Sequence, residues 1–278
     1  MRNWLRSPKK SVEWLWNETR FMVGAKQEIE MRPGWLLRSH PSAYRFAYFA
    51  QHKDPEQIAE FDSFISSCGD RMKFFDIGAH FGLFSLAALH YGGASALAVA
   101  VDPSPTAARI MKIQSRLNLT GDRLTVVQSA MGERAGWRRM VATGANGACY
   151  FVSPGDHRGR ELTRTRVTTL DQLSKELGIS PTHVKIDVEG DEAAVLKGGR
   201  EVLTGPDSPL LFLELHNEII RGLNKDPAET LSLLETFGYE IFSTEGSRLR
   251  EDFILSKPLL RVVCKNPHVF HSRIIPVH

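Results

Sequence analysis

Cysteines are few in this chain of 278 residues, and no long apolar run is present. The three cysteines, Cys68, Cys149 and Cys264, are widely spaced and odd in number. This spacing argues against a disulfide framework and a paired-cysteine metal site, and it predicts reduced thiols. No apolar stretch approaches the ~20 residues of a membrane-spanning helix. No apolar core follows the basic N-terminal residues, as it would in a secretory signal. We therefore expect a cytoplasmic protein without a transmembrane segment.

An excess of charge of either sign is also lacking. The chain carries 35 Lys and Arg residues against 32 Asp and Glu residues, which gives a formal net charge of +3. A balance this even is not typical of a chain whose partner is nucleic acid. The hydrophobic fraction of 42% and the charged fraction of 24% are those of an ordinary globular protein.

The most distinctive local pattern is a glycine turn between two apolar segments, at residues 74–89. Phe-Phe-Asp-Ile at 74–77 predicts a short buried strand, which is followed by the turn from Gly78 to Gly82 and an apolar helix. Glycine lets backbone amides approach a ligand because it has no Cβ, and the helix N-terminus adds unpaired donors. Asp76, at the strand end, suits a ligand with an amine or ribose hydroxyls. Alone, the pattern also fits an ordinary strand–turn–helix corner.

Acidic residues recur where other predicted strands end. Near-continuous apolar runs are typical of parallel strands covered on both faces. The acids at their ends are Asp76, Asp102, Asp187 and Glu214. Asp102 follows the glycine turn by about 20 residues, a position from which an acid hydrogen-bonds ribose hydroxyls; its alternative role is a helix N-cap. The alternation of strands and helices predicts an α/β fold with a doubly wound, mostly parallel sheet, whose ligands bind beyond the carboxyl ends of the strands.

The N-terminal part of the chain is expected to be a helical extension over residues 1–70, ahead of a main domain at 71–256. Ser7-Pro8 is a typical helix start. The apolar residues that follow at near-helical spacing are Val12, Leu15, Trp16, Met22 and Val23. One interpretation is a basic amphipathic helix on a membrane surface or a partner. The other, which we favour, is a helix that packs its aromatic face on the domain behind it or covers its ligand.

The less regular segments allow weaker predictions. Residues 137–142 are compatible with a strand, and residues 144–164 read as a long polar loop, which is often functional in a compact domain. Residues 239–242 and 253–255 are predicted to form a closing antiparallel pair. No structure is predicted for the C-terminal tail at 257–278.

The spacing of the glycine turn discriminates between cofactors. The dinucleotide fingerprint Gly-x-Gly-x-x-Gly is absent, because only Gly78 and Gly82 are present in the turn. Asp76 beside the turn would repel a pyrophosphate but would attract the amino group of a methionine moiety. A phosphate-binding loop is excluded because no Gly-Lys-Ser or Gly-Lys-Thr follows. S-adenosylmethionine therefore fits better than NAD.

Four segments together resemble the FkbM-type family of S-adenosylmethionine-dependent methyltransferases over residues 74–242. They are Asp-Ile-Gly-Ala-His-Phe-Gly at 76–82, Val-Asp-Pro-Ser-Pro at 101–105, Thr-Thr-Leu-Asp at 168–171 and Lys-Ile-Asp-Val-Glu-Gly-Asp-Glu at 185–192. The resemblance implies a seven-stranded Rossmann-like methyltransferase fold and O-methylation of a small-molecule or glycan hydroxyl, on a sugar or a natural product. The sequence departs from the family at His80, usually Asn, and at Asp102, usually Glu.

With this resemblance, the candidate cofactor residues take expected roles. The methionine end would be wrapped by Asp76, Gly78, Ala79 and Gly82. The ribose would be held by Asp102, and the adenine would lie near Gln128, Ser129 and Ala130. No oligomeric state is predicted, and the contacts to the acceptor are expected from residues 1–50 and 143–165.

Two residues are candidates for catalysis. Asp187 would face the methyl group or the acceptor hydroxyl, and His216, at a strand end, would accept the hydroxyl proton. A packed or solvated histidine is the alternative for His216. Asp187, Glu189 and Asp191 are a possible carboxylate set for Mg²⁺, but Glu189 also fits a plain turn, so we assign no metal site.

Other functions remain open at this point. A nucleic-acid methyltransferase is disfavoured because the sequence has no Asn-Pro-Pro-Tyr segment and no Pro-Cys nucleophile. An NAD-dependent oxidoreductase and a non-catalytic cofactor-binding subunit are the remaining alternatives. The intact glycine turn followed by Asp102 argues against the latter.

Overall fold

A computed structural model describes residues 8–22, 27–142, 149–151 and 162–270. The helices are α1 (Pro8–Met22), α2 (Pro41–His52), α3 (Pro55–Ser67), α4 (Leu83–Tyr91), α5 (Pro105–Leu117), α6 (Leu170–Leu177), α7 (Glu192–Lys197), α8 (Arg200–Thr204), α9 (Asn217–Gly222), α10 (Ala228–Thr236), α11 (Glu251–Ser256) and α12 (Pro267–Phe270). The strands are β1 (Gln27–Arg32), β2 (Trp35–Ser39), β3 (Lys73–Ile77), β4 (Leu97–Val101), β5 (Leu124–Val127), β6 (Ala130–Met131), β7 (Gly136–Ala142), β8 (Cys149–Phe151), β9 (Leu162–Thr168), β10 (His183–Ile186), β11 (Leu210–Leu215), β12 (Glu240–Phe242) and β13 (Leu260–Lys265).

A seven-stranded sheet in the order β12-β13-β11-β10-β3-β4-β5 forms the centre of the protein. The strands from β11 to β5 pair in parallel, whereas β13 runs antiparallel to both β11 and β12. The order reverses between β3 and β10, so the chain winds outward in both directions from this point. This topology confirms the predicted doubly wound, mostly parallel sheet. Because ligands bind where the strand order reverses, it also places the site beyond β3 and β10.

Both faces of the sheet are covered. Along β3, Phe74 belongs to one hydrophobic cluster and Phe75 to another, and along β11 Phe212 and Leu213 separate in the same way. Successive side chains of a strand point to opposite faces. The central strands are therefore apolar on both sides, which explains the continuous apolar runs in the sequence.

The predicted pair of residues 239–242 and 253–255 is wrong in its second member. Phe253 and Ile254 lie in helix α11, and β12 pairs instead with β13. An apolar run this short does not show whether its period is 2 or 3.6. Ile254 is buried while the neighbouring Phe253 is 44% exposed. The true partner of β12 is β13, which lies within the C-terminal tail at 257–278. No structure was predicted for this tail, and the central sheet includes part of it.

The N-terminal region contains more than helices. Strands β1 and β2 form an antiparallel hairpin whose buried side chains join the same hydrophobic cluster as Phe61 of α3 and Leu89 of α4. Trp35 stacks on the His90 ring at a centroid distance of 5.2 Å. The hairpin and α3 are therefore packed on one face of the main sheet.

A second, four-stranded sheet in the order β6-β9-β7-β8 lies between β5 and α6 in the sequence. The strand expected at residues 137–142 is present as β7. The loop expected at 144–164 includes β8 and the start of β9, and its remaining residues, 144–148 and 152–161, lie outside the described residues. None of the helices in the described part of the chain has the length and apolar character needed to cross a bilayer.

Candidate functional site

An open cavity lies beyond the carboxyl ends of β3, β4, β10 and β11. Its walls are formed by Phe46, Gln57, Ile77, Gly78, His80, Val101, Asp102, Pro103, Ser129, Ala130, Met131, Met140, Asp187, Val188, Glu189, Asp191, Glu214 and Arg261. It is thus built from strand ends, from the segment around β6, and from two residues of the N-terminal helices. This is the position that the strand-order reversal indicates for a ligand.

Gly78 is where the turn after β3 approaches the neighbouring strand. Its φ is +83°, and a Cβ there would lie 1.7 Å from the carbonyl oxygen of Asp187. Only glycine satisfies both the dihedral angle and the close approach. The amides of Gly78 and Ala79 both donate to the carbonyl of Val101, at 2.9 and 3.0 Å. The turn therefore joins the ends of β3, β4 and β10, and so fixes the floor of the cavity.

Asp76 lies beneath the turn and is not among the residues that line the cavity. Its Oδ2 accepts from the amide of Ser85 at 3.1 Å and from the Ser85 hydroxyl at 2.7 Å. Burial raises the pKa of Asp76 to about 6. In this structure the carboxylate joins the end of β3 to the first turn of α4, where the helix leaves amides without intrahelical partners.

Asp102 is buried but lines the cavity. Its Oδ2 accepts from the His80 amide at 2.9 Å, and its Oδ1 accepts from the Ser104 amide at 2.8 Å. Burial raises the pKa of Asp102 to about 7, in spite of these hydrogen bonds. Ser104 is the N-cap of α5, so the alternative role of Asp102 as that cap does not apply. The two amides fix the carboxylate and leave each oxygen a further lone pair for a ligand hydroxyl.

His80 occupies the turn in a left-handed conformation, with φ of +49°. Its ring stacks on Phe81 at 3.7 Å and meets the edge of Phe46 from α2 at 4.6 Å. Both His80 and Phe46 line the cavity. The residue that departs from the family pattern is therefore part of the contact between the N-terminal helices and the site.

A buried ammonium group neutralises the acids below the cavity. Nζ of Lys185 lies 3.1 Å from Glu60, 3.5 Å from Asp187 and 3.7 Å from Glu214. Burial opposes the charge of Lys185, but these carboxylates outweigh it and raise the pKa above its ordinary value. A buried charge of this kind requires such partners.

Arg261 on β13 supplies a second buried cation. Its guanidinium lies 2.7 Å from Glu214 and 3.4 Å from Glu60, and Arg261 is directly opposite Glu214 in the strand register. Sequence reasoning missed Arg261 and Glu60. The signal for each was a charge at an apolar position: Arg261 in an apolar strand, and Glu60 one turn before Phe64 on the inner face of α3.

Asp187 and Glu214 form a carboxyl pair at the cavity wall. Carboxyl oxygens of the two side chains lie within 4.8 Å of each other. Burial and the charge of Asp187 raise the pKa of Glu214 to about 8. For Asp187, burial acts in the opposite direction to Lys185 and His216, and the net effect lowers the pKa. Like charges this close do not both ionise readily, so Glu214 retains a proton near neutral pH while Asp187 is an anion.

His216 lies behind this pair and is not among the residues lining the cavity. Its Nδ1 is 2.8 Å from Oε1 of the fully buried Glu192, and its Nε2 is 3.8 Å from oxygens of Asp187, Glu189 and Glu214. Burial disfavours the imidazolium, but the hydrogen bond to Glu192 and the charge of Asp187 raise the pKa of His216 to about 9. At neutral pH the ring is therefore a positively charged imidazolium, with both ring nitrogens protonated.

The predicted site residues fall into two groups. Those that line the cavity are Gly78, Asp102, Ser129, Ala130 and Asp187. Those that do not are Asp76, Ala79, Gly82, Gln128 and His216. Of the second group, His216 contacts Asp187 directly, whereas the side chain of Gln128 is exposed to solvent.

The carboxylates offer one arrangement with metal-ligand spacing in the described part of the chain. Ligand atoms of Asp187, Glu214 and His216 all lie within 4.8 Å of one another. This set differs from Asp187, Glu189 and Asp191, the carboxylates that the sequence offers for Mg²⁺ without an assigned site, and Asp191 is paired with Lys225 at 2.6 Å. Because Lys185 and Arg261 already lie against Glu214, at 3.7 and 2.7 Å, we assign no metal to the site.

The doubly wound sheet with a ligand cavity at its reversal point and a buried acid after the second parallel strand defines a Rossmann-like, class I methyltransferase fold. The family model of the methyltransferase FkbM domain matches residues 76–241, more than half of the chain. The chain belongs to this family.

Several solved structures are similar to this chain at low identity. The methyltransferase FkbM from Methylobacillus flagellatus KT is 17% identical with a TM-score of 0.49, over 81% of this chain and 53% of its own, so this chain spans about half of that protein. An O-methyltransferase from Bacillus cereus, in complex with SAH, is 12% identical with a TM-score of 0.42, over 76% and 80%. A precorrin-6y C5,15-methyltransferase from Geobacter metallireducens GS-15 is 13% identical with a TM-score of 0.44, over 77% and 90%. No curated protein matches the sequence.

Proposed function

We propose that this protein is an S-adenosylmethionine-dependent O-methyltransferase that acts on a hydroxyl of a small molecule or glycan, of the sugar or natural-product type. The observation that carries the proposal is Asp102, a buried acid that lines the cavity at the strand-order reversal and is fixed by two backbone amides. Membership of the FkbM family supports the reaction class.

The residues present fit the cofactor. Asp102 offers oxygen acceptors for the two ribose hydroxyls. Gly78 lines the cavity, and its lack of a Cβ lets the turn lie against the carbonyl of Asp187. We assign the methionine portion to this turn, beside Ala79 and Gly82. Ser129 and Ala130 also line the cavity, and we assign the adenine to this wall, near Gln128. Asp76 does not line the cavity, so we assign it an indirect role: it holds the turn and the start of α4 in the position that receives the methionine amino group. When bound, the cofactor supplies an electrophilic methyl group on sulfur.

Positioning of the acceptor would provide most of the rate, because methyl transfer is an in-line displacement. Asp187 is the lining carboxylate that remains an anion, so we assign it the contact with the acceptor hydroxyl and the acceptance of its proton. The raised pKa of His216 argues against the ring as the direct base. We propose instead that the imidazolium of His216, which Glu192 holds in place, is a positioning residue: it orients the carboxylate of Asp187 toward the acceptor.

The test is transfer of isotopically labelled methyl groups from S-adenosylmethionine to a panel of sugars and hydroxylated natural products. We expect label on an acceptor oxygen with the native protein, and a loss of about 100-fold or more in kcat for Asp187→Asn. Label on nitrogen or carbon would contradict the O-methyl assignment. No transfer to any acceptor, together with no binding of the cofactor, would contradict the function itself.

A further inference from the structure

Helix α1 presents an apolar stripe to solvent. Val12, Leu15, Trp16 and Met22 are exposed by 67, 59, 62 and 74%. Val12, Leu15 and Trp16 lie three and four residues apart, and Met22 comes seven residues after Leu15, so the four side chains lie on one side of the helix. In the part of the chain that the structure describes, ten large apolar side chains are exposed, and four of them belong to this one helix. A concentration of exposed apolar side chains on one helix face indicates an interaction surface.

The opposite face of α1 is attached to the protein. Glu18 is buried and forms an ion pair with Arg109 of α5, and it lies 3.5 Å from His40. The ring of Phe21 packs on the ring of His40 at 4.5 Å. The helix therefore already has an inner face, and the stripe is the outer face. This differs from the expectation that α1 uses its apolar residues to pack on the domain.

The charge of the segment selects the partner. Residues 1–10 contain Arg2, Arg6, Lys9 and Lys10 and no acidic residue. A cationic segment leading into an apolar helix face complements a surface that is anionic and apolar at once, as an anionic lipid surface is. Tryptophan is favoured there because its ring is apolar and its N–H remains hydrated.

From these contacts, we propose that α1 lies on an anionic lipid surface, with the stripe of Val12, Leu15, Trp16 and Met22 inserted at the headgroup level. Helix α1 packs against α2, and Phe46 of α2 lines the cavity. The lipid-facing surface is thus one helix away from the site. The inference does not depend on the reaction that the site performs.

Co-sedimentation of the full chain with vesicles tests this. One set contains equal parts of phosphatidylglycerol and phosphatidylcholine, and the other contains phosphatidylcholine alone. We expect binding to the first set, weakening as salt is added, and little binding to the second. The double variant Leu15→Ser/Trp16→Ser should bind the anionic vesicles at least about tenfold more weakly.

The matched control is Leu119→Ser/Trp137→Ser, which removes the same residue types from exposed positions, 79 and 60%, outside α1. It should bind as the native protein does. The inference is overturned if the native protein stays in the supernatant with both vesicle sets, or if the two double variants bind alike. Light scattering that shows a dimer lost only in the α1 variant, without vesicle binding, would assign the stripe to a second copy of the chain instead. Unchanged thermal unfolding of both variants excludes misfolding as the cause.

Discussion

At the scale of single residues, the environment of each acid decides its role. Asp76 lies near the end of β3 and Asp102 directly follows β4, but the Ser85 side chain binds Asp76, whereas Asp102 lines the cavity. His216 is charged because the bond to Glu192 and the nearby Asp187 outweigh its burial. The residue types and strand ends were visible in the sequence. Their partners were not visible, because Ser85, Glu192 and Arg261 each reach the side chain that they contact only in the folded chain.

The space around Gly78 leads to a prediction on stability. Gly78→Ala should lower the free energy of unfolding by about 3 kcal/mol or more. The new Cβ would collide with the Asp187 carbonyl, and the alanine would also have to adopt a positive φ. Gly178→Ala is the control: φ is +64° there, with nothing within 4 Å, so only strain of about 1–2 kcal/mol is expected. Urea denaturation measures both. Equal losses would show that the close approach contributes nothing.

The protonation of His216 and Glu214 leads to a pH dependence. Both pKa values are raised on folding, from 6.5 to about 9 for His216 and from 4.5 to about 8 for Glu214. The folded state then binds more protons than the unfolded state, so stability decreases as pH rises through this range. We expect the free energy of unfolding, measured in urea, to fall between pH 6.5 and pH 9. His216→Gln should flatten this decline, and an unchanged slope would contradict the charged imidazole.

At the scale of elements, parallel strands and the glycine turn were predictable because each is marked locally. Apolar runs marked β4 and β11, and shorter apolar segments with an acid at or near their ends marked β3 and β10. Strand β13 and the β1–β2 hairpin were not predicted. A strand with charged or alternating residues has no distinctive local pattern, so it can be recognised only from the strand with which it pairs. Arg261 shows why: its charge inside a strand is satisfied by Glu214 across the register and by Glu60 from α3.

Removing the cation from β13 should therefore be costly. Arg261→Met removes one of the two cations beside Glu60 and Glu214 and leaves only Lys185 near them, so we expect a loss of about 3 kcal/mol in the free energy of unfolding. Arg248→Met, which breaks an exposed pair with Glu240, should cost about 1 kcal/mol or less. Adding Glu60→Gln to Arg261→Met should recover part of the loss. If the double variant is no more stable than Arg261→Met, the buried pairing is not the cause.

At the scale of the whole molecule, the N-terminal elements and the sheet share one site. Phe46 and Gln57 from the helices reach the same cavity as Asp102 and Asp187 from the strand ends. In the proposed function the strand ends hold the cofactor, and the fold by itself does not specify the acceptor. We therefore expect the choice among acceptors to depend on the elements around the strand ends. One of these is helix α2, whose Phe46 contacts His80.

The central claim is that the cavity binds S-adenosylmethionine through Asp102. Isothermal titration calorimetry of the native protein, Asp102→Ala and the exposed control Asp122→Ala measures this directly. We expect one cofactor per native chain, at least about tenfold weaker binding by Asp102→Ala, equivalent to the loss of a hydrogen bond to a charged group, and native affinity for Asp122→Ala. No binding by the native protein, or equal affinity of Asp102→Ala, would contradict the account.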